Sequence, residues 1–174
     1  CTHDLEGGFL QTALGQNIYT QENVPMGHYN HLDLLNEVRS AGSIKNFIAS
    51  GNVKDGIIKT LSDMDIPFVL SGSIRDDGPL PEVIGDTEKA LTETKKELDK
   101  ATLIICIATM LHSLSVANMA SSYRIRKDGK ATPVYMYSID VTENVVNKVG
   151  ATRELMAFVP MVTNCLLYTS DAAD

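Results

Sequence analysis

Apolar positions recur along the chain at two spacings, and the change of spacing organises the fold reading. In the first part they fall at helical intervals. His31–Arg39 places Leu32, Leu34, Leu35 and Val38 largely on one helical face. Gly42 follows where a helix ends in the left-handed conformation that glycine tolerates. Ser43 is then placed to cap a short helix over 44–50, with Ile44, Phe47 and Ile48 as its buried stripe. A third helix is predicted over 55–64, with Ile57, Ile58 and Leu61 inward. Residues 1–30 have weak periodicity and read mostly as loop, with a short helix near Phe9–Leu14.

From Pro67 onward short apolar runs alternate with helical patterns. Residues 67–71 read as a strand. Residues 81–100 read as a Glu- and Lys-rich helix with Val83, Ile84, Leu91 and Leu98 as its apolar positions. The unbroken apolar run of residues 101–108 has the composition of a strand covered on both faces. A helix over 110–120, a strand over 132–139, a helix over 142–149 and a strand over 155–163 follow, and Pro160 places that last strand at an edge. This alternation predicts an α/β domain with a mainly parallel sheet, its right-handed crossovers laying helices on the sheet faces. No internal repeat or low-complexity segment interrupts it.

Composition narrows the partners. The chain has 174 residues, 44% of them hydrophobic, enough to bury a core. Fifteen Lys and Arg against 22 Asp and Glu give a net charge of −7, which argues against a polyanionic partner. The basic cluster Arg124–Lys130 contains Asp-Gly and reads as a solvated surface loop. Three cysteines, Cys1, Cys106 and Cys165, form neither a disulfide framework nor a zinc pattern, and Cys106 reads as a buried, inert thiol. A reducing compartment is expected, hence the cytoplasm. No apolar run is long enough to span a bilayer. The last ten residues, 165–174, lack apolar periodicity and resemble a translated sequencing adapter. Residues 1–164 are therefore taken as one domain, incomplete at both ends, with a non-native tail behind it.

Ligands of open parallel sheets bind beyond the carboxyl ends of the strands. Four such ends are in view: Ser71–Pro81, Ala108–His112, Asp140–Thr142 and Val162–Asn164. The first, Ser71-Gly-Ser-Ile-Arg-Asp-Asp-Gly-Pro-Leu-Pro81, is either an acidic surface turn or a ligand rim. Thr109 opens a helix whose first turn suits a phosphate, or it is simply an N-cap. Asp140 suits a ribose hydroxyl, or it too is a cap. A G-x-G-x-x-G fingerprint is absent, so composition and spacing leave a nucleotide site open. The four histidines, including those of His3-Asp4 and the His28/His31 pair, are too few for a metal centre, and none is assigned. A serine hydrolase is disfavoured because G-x-S-x-G is absent.

Three strings carry a resemblance: Gly27-His-Tyr-Asn-His-Leu32, the acidic loop of residues 71–81, and Ala108-Thr-Met-Leu-His-Ser113. From His3 to about Asn164 the chain resembles the archaeal ornithine cyclodeaminases and the C-terminal part of cyanobacterial arginine dihydrolases, the LOR/SDH-type proteins. The resemblance implies a Rossmann-like domain similar to deoxyhypusine synthase, with bound NAD. It implies conversion of ornithine to proline and ammonia, an ammonia-lyase reaction of arginine and proline metabolism. The cofactor would take a hydride from the ornithine Cα–H, the distal amine would close on the imine with loss of ammonia, and the hydride would return. By the same resemblance Asp77, Thr109, Met110, Leu111, His112 and Asp140 would bind the cofactor. Asn164 would join them where relatives commonly carry Asp. The segment of residues 121–131 is longer than in archaeal members and should be a surface loop. An Asn-Ala pair of the family's cofactor site would lie upstream of His3.

Catalytic roles are assigned by chemistry rather than by resemblance: Arg75 to the substrate carboxylate, Asp76 to the amine or a proton. The expected partners are ornithine and further copies of the chain, without nucleic acid or membrane. The alternative function is a non-catalytic NAD-binding module regulating an arginine- or ornithine-degrading enzyme.

Overall fold

A computed structural model describes residues 4–6, 27–72, 80–153 and 157–163. The chain divides into two compact units, Cys1–Leu91 and Thr92–Asp174. Among the described residues no helix is long and apolar enough to cross a membrane.

The first unit is helical. Helix α1 spans Gly27–Ala41, α2 Ile44–Ala49 and α3 Ile57–Asp63. Leu34 and Val38, four residues apart, point inward from α1 and meet Ile44, Phe47 and Ile48 of α2 in one apolar cluster. The predicted face differs at one position, since Leu32 is exposed. Gly42 adopts φ +78 after α1, and the Ser43 hydroxyl accepts the Asn46 N–H at 3.0 Å. Both assignments needed only local chemistry.

Helix α3 starts differently. Its N-cap position is Gly56, which has no side chain, and Asp4 supplies the cap from 53 residues away. The two carboxylate oxygens of Asp4 accept the N–H groups of Ile57 and Ile58, each at 2.8 Å. Gly56 has φ +120, and a Cβ there would lie 3.0 Å from Asp4 Oδ2, so the close approach requires glycine.

Two expectations for residues 67–100 are corrected. Residues 67–71 form no strand; Ser71 makes a single parallel bridge to Ile84. Extended apolar chain becomes a strand only where a partner ladder continues, and here the pairing stops at Gly72 N–H to Ile84 O. The helix of residues 81–100 is shorter, α4 at Thr87–Leu98. Gly85 and Asp86 end the preceding turn, and the Asp86 carboxylate accepts the Lys89 N–H at 2.7 Å. The outer face of α4 carries ion pairs, Lys96 with Glu93 at 2.7 Å and Lys95 with Asp99 just past the helix end.

The second unit holds the parallel sheet. Strands β1 (Leu103–Ile107), β4 (Tyr135–Asp140) and β5 (Phe158–Val162) lie in the order β1-β4-β5, all parallel. Helices α5 (Met110–Met119) and α6 (Glu143–Gly150) are the crossovers. Ile104, Cys106, Met136 and Phe158 of the sheet pack with Ala117 of α5 and Val149 of α6. Gly150 lets α6 end against β5, since a Cβ there would meet the Phe158 ring at 2.7 Å. Among the described residues Pro160 lies in an edge strand.

Two departures stand out in this unit. Residues 123–133 form a β-hairpin, β2 (Tyr123–Ile125) with β3 (Ala131–Pro133), rather than a plain loop. Gly129 at φ +81 and the Arg126 N–H to Lys130 O bond of 2.9 Å close its turn. And β1 alternates: Ile104 and Cys106 are buried, whereas Leu103, Ile105 and Ile107 are about half exposed.

Buried Arg153 ties this unit together. Its guanidinium donates to the carbonyls of Ala120 at 2.7 Å, Ser121 at 3.4 Å and Val134 at 3.4 Å. The first two close the C-terminal end of α5, where a cation complements the helix dipole.

Candidate functional site

The chain leaves β1 through Ala108, whose φ of +52 is left-handed, uncommon for a residue with a Cβ. The Ala108 N–H still donates to Ile139 O at 2.9 Å, so the β1–β4 ladder persists to the point of the turn. The left-handed step then aims the chain into α5.

Thr109 occupies the N-cap position of α5, yet its side chain makes no capping bond. Its hydroxyl lies 3.4 Å from His112 Nδ1 instead. Ser113, buried one residue further on, donates its hydroxyl back to the Thr109 carbonyl. Leu111 and His112 are exposed, and Met110 is half-buried. Among the described residues the start of α5 therefore presents the positive end of the helix dipole without a carboxylate or hydroxyl cap, a setting that suits phosphate oxygens.

Asp140 ends β4, the central strand, beside the ends of β1 and β5. Its Oδ1 accepts the backbone N–H of Thr142 at 2.9 Å and the Thr142 hydroxyl at 2.8 Å. The carboxylate thus closes a turn ahead of α6, whose N-cap is Thr142, rather than capping the helix. An ionised carboxylate accepts more than two hydrogen bonds, so the turn leaves capacity for a sugar hydroxyl. The Thr163 N–H donates to the Asp140 carbonyl at 2.9 Å, fixing the end of β5 alongside.

The structure thus brings Thr109, Met110, Leu111 and His112 to the strand end adjoining Asp140. Arg75, Asp76, Asp77 and Asn164 lie outside the described residues. Ala108 and Ser113 were not singled out from sequence. Alanine has no preference for a left-handed turn, and a serine in an apolar helix carries no positional signal.

Other polar groups have structural employment. Asp4 caps α3. Glu6, fully buried, pairs with His31 at 3.2 Å. Among the described residues no three His, Cys, Asp or Glu side chains gather as metal ligands. Cys106 is buried; desolvation pushes its thiol above the ordinary range, partly offset by a Ser113 hydrogen bond and the Arg153 charge. Arg124 of the basic cluster donates to the Leu98 carbonyl at 3.3 Å. The cavity of about 250 Å³ beside it adjoins Leu98 and Val134, which precede β1 and β4, at the opposite end of the strands from Thr109.

A family model of the arginine dihydrolase ArgZ-like, C-terminal, Rossmann-fold group matches residues 1–166. The chain belongs to this family. It is 43% identical over 122 residues to the ornithine cyclodeaminase of Methanopyrus kandleri, covering 70% of this chain and 30% of that one. It is 35% identical over 170 residues to the ornithine cyclodeaminase of Methanocaldococcus jannaschii, covering 92% and 38%. The crystal structure of AgrE in a ternary complex with ornithine and NAD+ matches with a TM-score of 0.83 and 36% identity, covering 97% of this chain and 23% of that one. The chain therefore spans only 23% to 38% of the length of these three proteins. The ArgZ-like assignment bears out the resemblance drawn from the three sequence strings, and with the parallel sheet it establishes a Rossmann-like α/β fold.

Proposed function

We propose that this chain is the NAD-binding, ornithine-converting domain of an ornithine cyclodeaminase. The observation that carries the reading is the match across 97% of the chain to AgrE, solved with both ornithine and NAD+. The strand-end geometry supports it. The uncapped start of α5 offers N–H donors to a pyrophosphate, and Asp140 offers a carboxylate to ribose hydroxyls. Thr109 and His112 shape the approach to that helix start, while Met110 and Leu111 supply apolar contact. Asp77 and Asn164 complete the cofactor set in this proposal, Asn164 with an amide where relatives commonly carry a charge.

Bound NAD supplies a reversible hydride acceptor, so the overall reaction needs no external oxidant. The chain's own residues bind and move protons. Arg75 holds the substrate carboxylate through paired N–H donors, and Asp76 holds the amine or takes its proton. Residues 1–164 belong to that domain, with 165–174 as a non-native tail. Assembly into homo-oligomers and a cytoplasmic location belong to the same reading.

The test is incubation of the chain with ornithine and NAD+. Proline and ammonia should appear together without accumulation of NADH. Tight NAD+ binding with no proline would favour the regulatory-module alternative, and absence of NAD+ binding would remove the cofactor assignment.

A further inference from the structure

The cavity of about 250 Å³ in the second unit adjoins the end of α4 and the β2–β3 hairpin. Apolar Leu98, Ile125 and Val134 line it together with Arg124 and Asp99, two side chains of opposite charge. These two charges do not neutralise each other. Arg124 Nη2 donates to the Leu98 carbonyl at 3.3 Å, and Asp99 pairs through Oδ1 with Lys95. A guanidinium has five N–H donors and a carboxylate accepts several hydrogen bonds, so both groups keep capacity for a ligand. The hairpin fixes the position of Arg124. It stands opposite Thr132 in the β2–β3 register, and the Thr132 hydroxyl donates to its carbonyl at 3.4 Å.

Size and charge select the occupant. Pockets for drug-sized ligands hold about 300–1,000 Å³, so this smaller one suits a compact metabolite and not a dinucleotide. A guanidinium holds a carboxylate through paired N–H donors, and a carboxylate holds an ammonium. A simple anion would be drawn to Arg124 but would meet the like charge of Asp99. A simple cation would meet the hairpin, which carries Arg124, Arg126, Lys127 and Lys130 against Asp128. A small molecule with a carboxylate and an ammonium on one carbon satisfies both signs at once. Its side chain then has Leu98, Ile125 and Val134 to pack against.

We propose that this cavity is a binding site for a free α-amino acid with an apolar side chain, Arg124 holding its carboxylate and Asp99 its ammonium. Leu98 and Val134 precede β1 and β4, so the site lies at the opposite end of the strands from Thr109 and Asp140. The proposal rests on the charge and size of the cavity, not on the cyclodeaminase activity.

The experiment titrates the 174-residue chain with L-norvaline, by calorimetry and by amide NMR. Norvaline should bind and shift the amides of Ser121–Ile125. Pentanoate, which lacks the ammonium, and butylamine, which lacks the carboxylate, should each bind at least about tenfold more weakly. Arg124→Met should remove binding, and Asp99→Asn should weaken it about tenfold. Arg75→Met, at the residue assigned to the substrate carboxylate, should leave it unchanged. Absence of norvaline binding would overturn the proposal. Binding lost in Arg75→Met but kept in Arg124→Met would place the ligand at the substrate position and overturn it too. Pentanoate bound as tightly as norvaline would rule out a zwitterion. Should Arg124→Met disturb the hairpin, Asp99→Asn decides, because that carboxylate is 54% exposed and its loss leaves the core intact. Full norvaline affinity in Asp99→Asn would end the proposal.

Discussion

In the first unit, α2 starts under the Ser43 hydroxyl with the Glu82 carboxylate on the Ile44 N–H, and α3 starts under both oxygens of Asp4. In the second, α5 starts at a threonine whose hydroxyl turns toward His112. The first N–H groups of a helix have no intrahelical partner and carry partial positive charge. Where the chain fills that position with its own carboxylate, the helix start is structural and closed to anions. Where it leaves the position without a side-chain cap, at a strand's carboxyl end, the helix start can take a ligand. The two ends of α5 carry the same contrast within one element. Arg153 closes its C-terminal carbonyls, while Thr109 at its N-terminus makes no side-chain capping bond.

The contrast can be broken at the closed end of α5 first. Arg153→Met keeps the bulk but removes the donors to three carbonyls, in a residue only 7% exposed. It should cost about 3 kcal/mol of stability, read from urea unfolding. A variant as stable as the parent would mean that the end of α5 does not depend on the cation.

At the open end, Thr109→Asp should sharpen the contrast by moving two quantities in opposite directions. A carboxylate cap should stabilise α5 by about 0.5–1 kcal/mol. The same charge should repel a phosphate and weaken NAD+ binding by about 2 kcal/mol, roughly 30-fold, in a calorimetric titration. Affinity that rose along with stability would show that the phosphate sits elsewhere.

Asp77→Ala, in the acidic loop, should weaken NAD+ about tenfold, or about 1.4 kcal/mol, while thermal unfolding stays put. Unchanged affinity would return the loop to an ordinary acidic turn.

Asp4→Ala is the counterpart in the first unit. Uncapping α3 should cost about 1 kcal/mol and leave NAD+ affinity as it was. A matching loss of affinity would show that a cap assigned to structure also serves the ligand.

How much of this was legible in sequence depended on the distance over which each interaction works. The Ser43 cap and the Gly42 stop act within one helical turn, so residue type and spacing sufficed. The Asp4 cap joins residues 53 apart, and no local pattern announces it. The Rossmann-like alternation was readable because each strand and helix carries its own apolar period. The single bridge at Ser71 was not, because a strand exists only by pairing, and pairing is decided by what lies beside it. The same holds for Thr109 and Asp140. Their residue types allowed either a cap or a ligand contact. Only the fold showed that the Thr109 hydroxyl makes no capping bond while the Asp140 carboxylate closes a turn at Thr142.

By itself, then, the amino-acid order determined the alternation of strands and helices beyond residue 100, the hairpin of residues 123–133 excepted, and the residues placed at the ends of those strands. It also determined that β1 is apolar at successive positions, the composition of a strand destined for burial on both sides. Tertiary structure decided the rest. It set Ala108 left-handed to aim α5, turned Arg153 onto the carbonyls at that helix's far end, and packed the Ile104 and Met136 face of the sheet against α5 and α6. The physical reason is common to all three. Local periodicity reports what a segment would bury or bond, but only the fold supplies the atoms it meets.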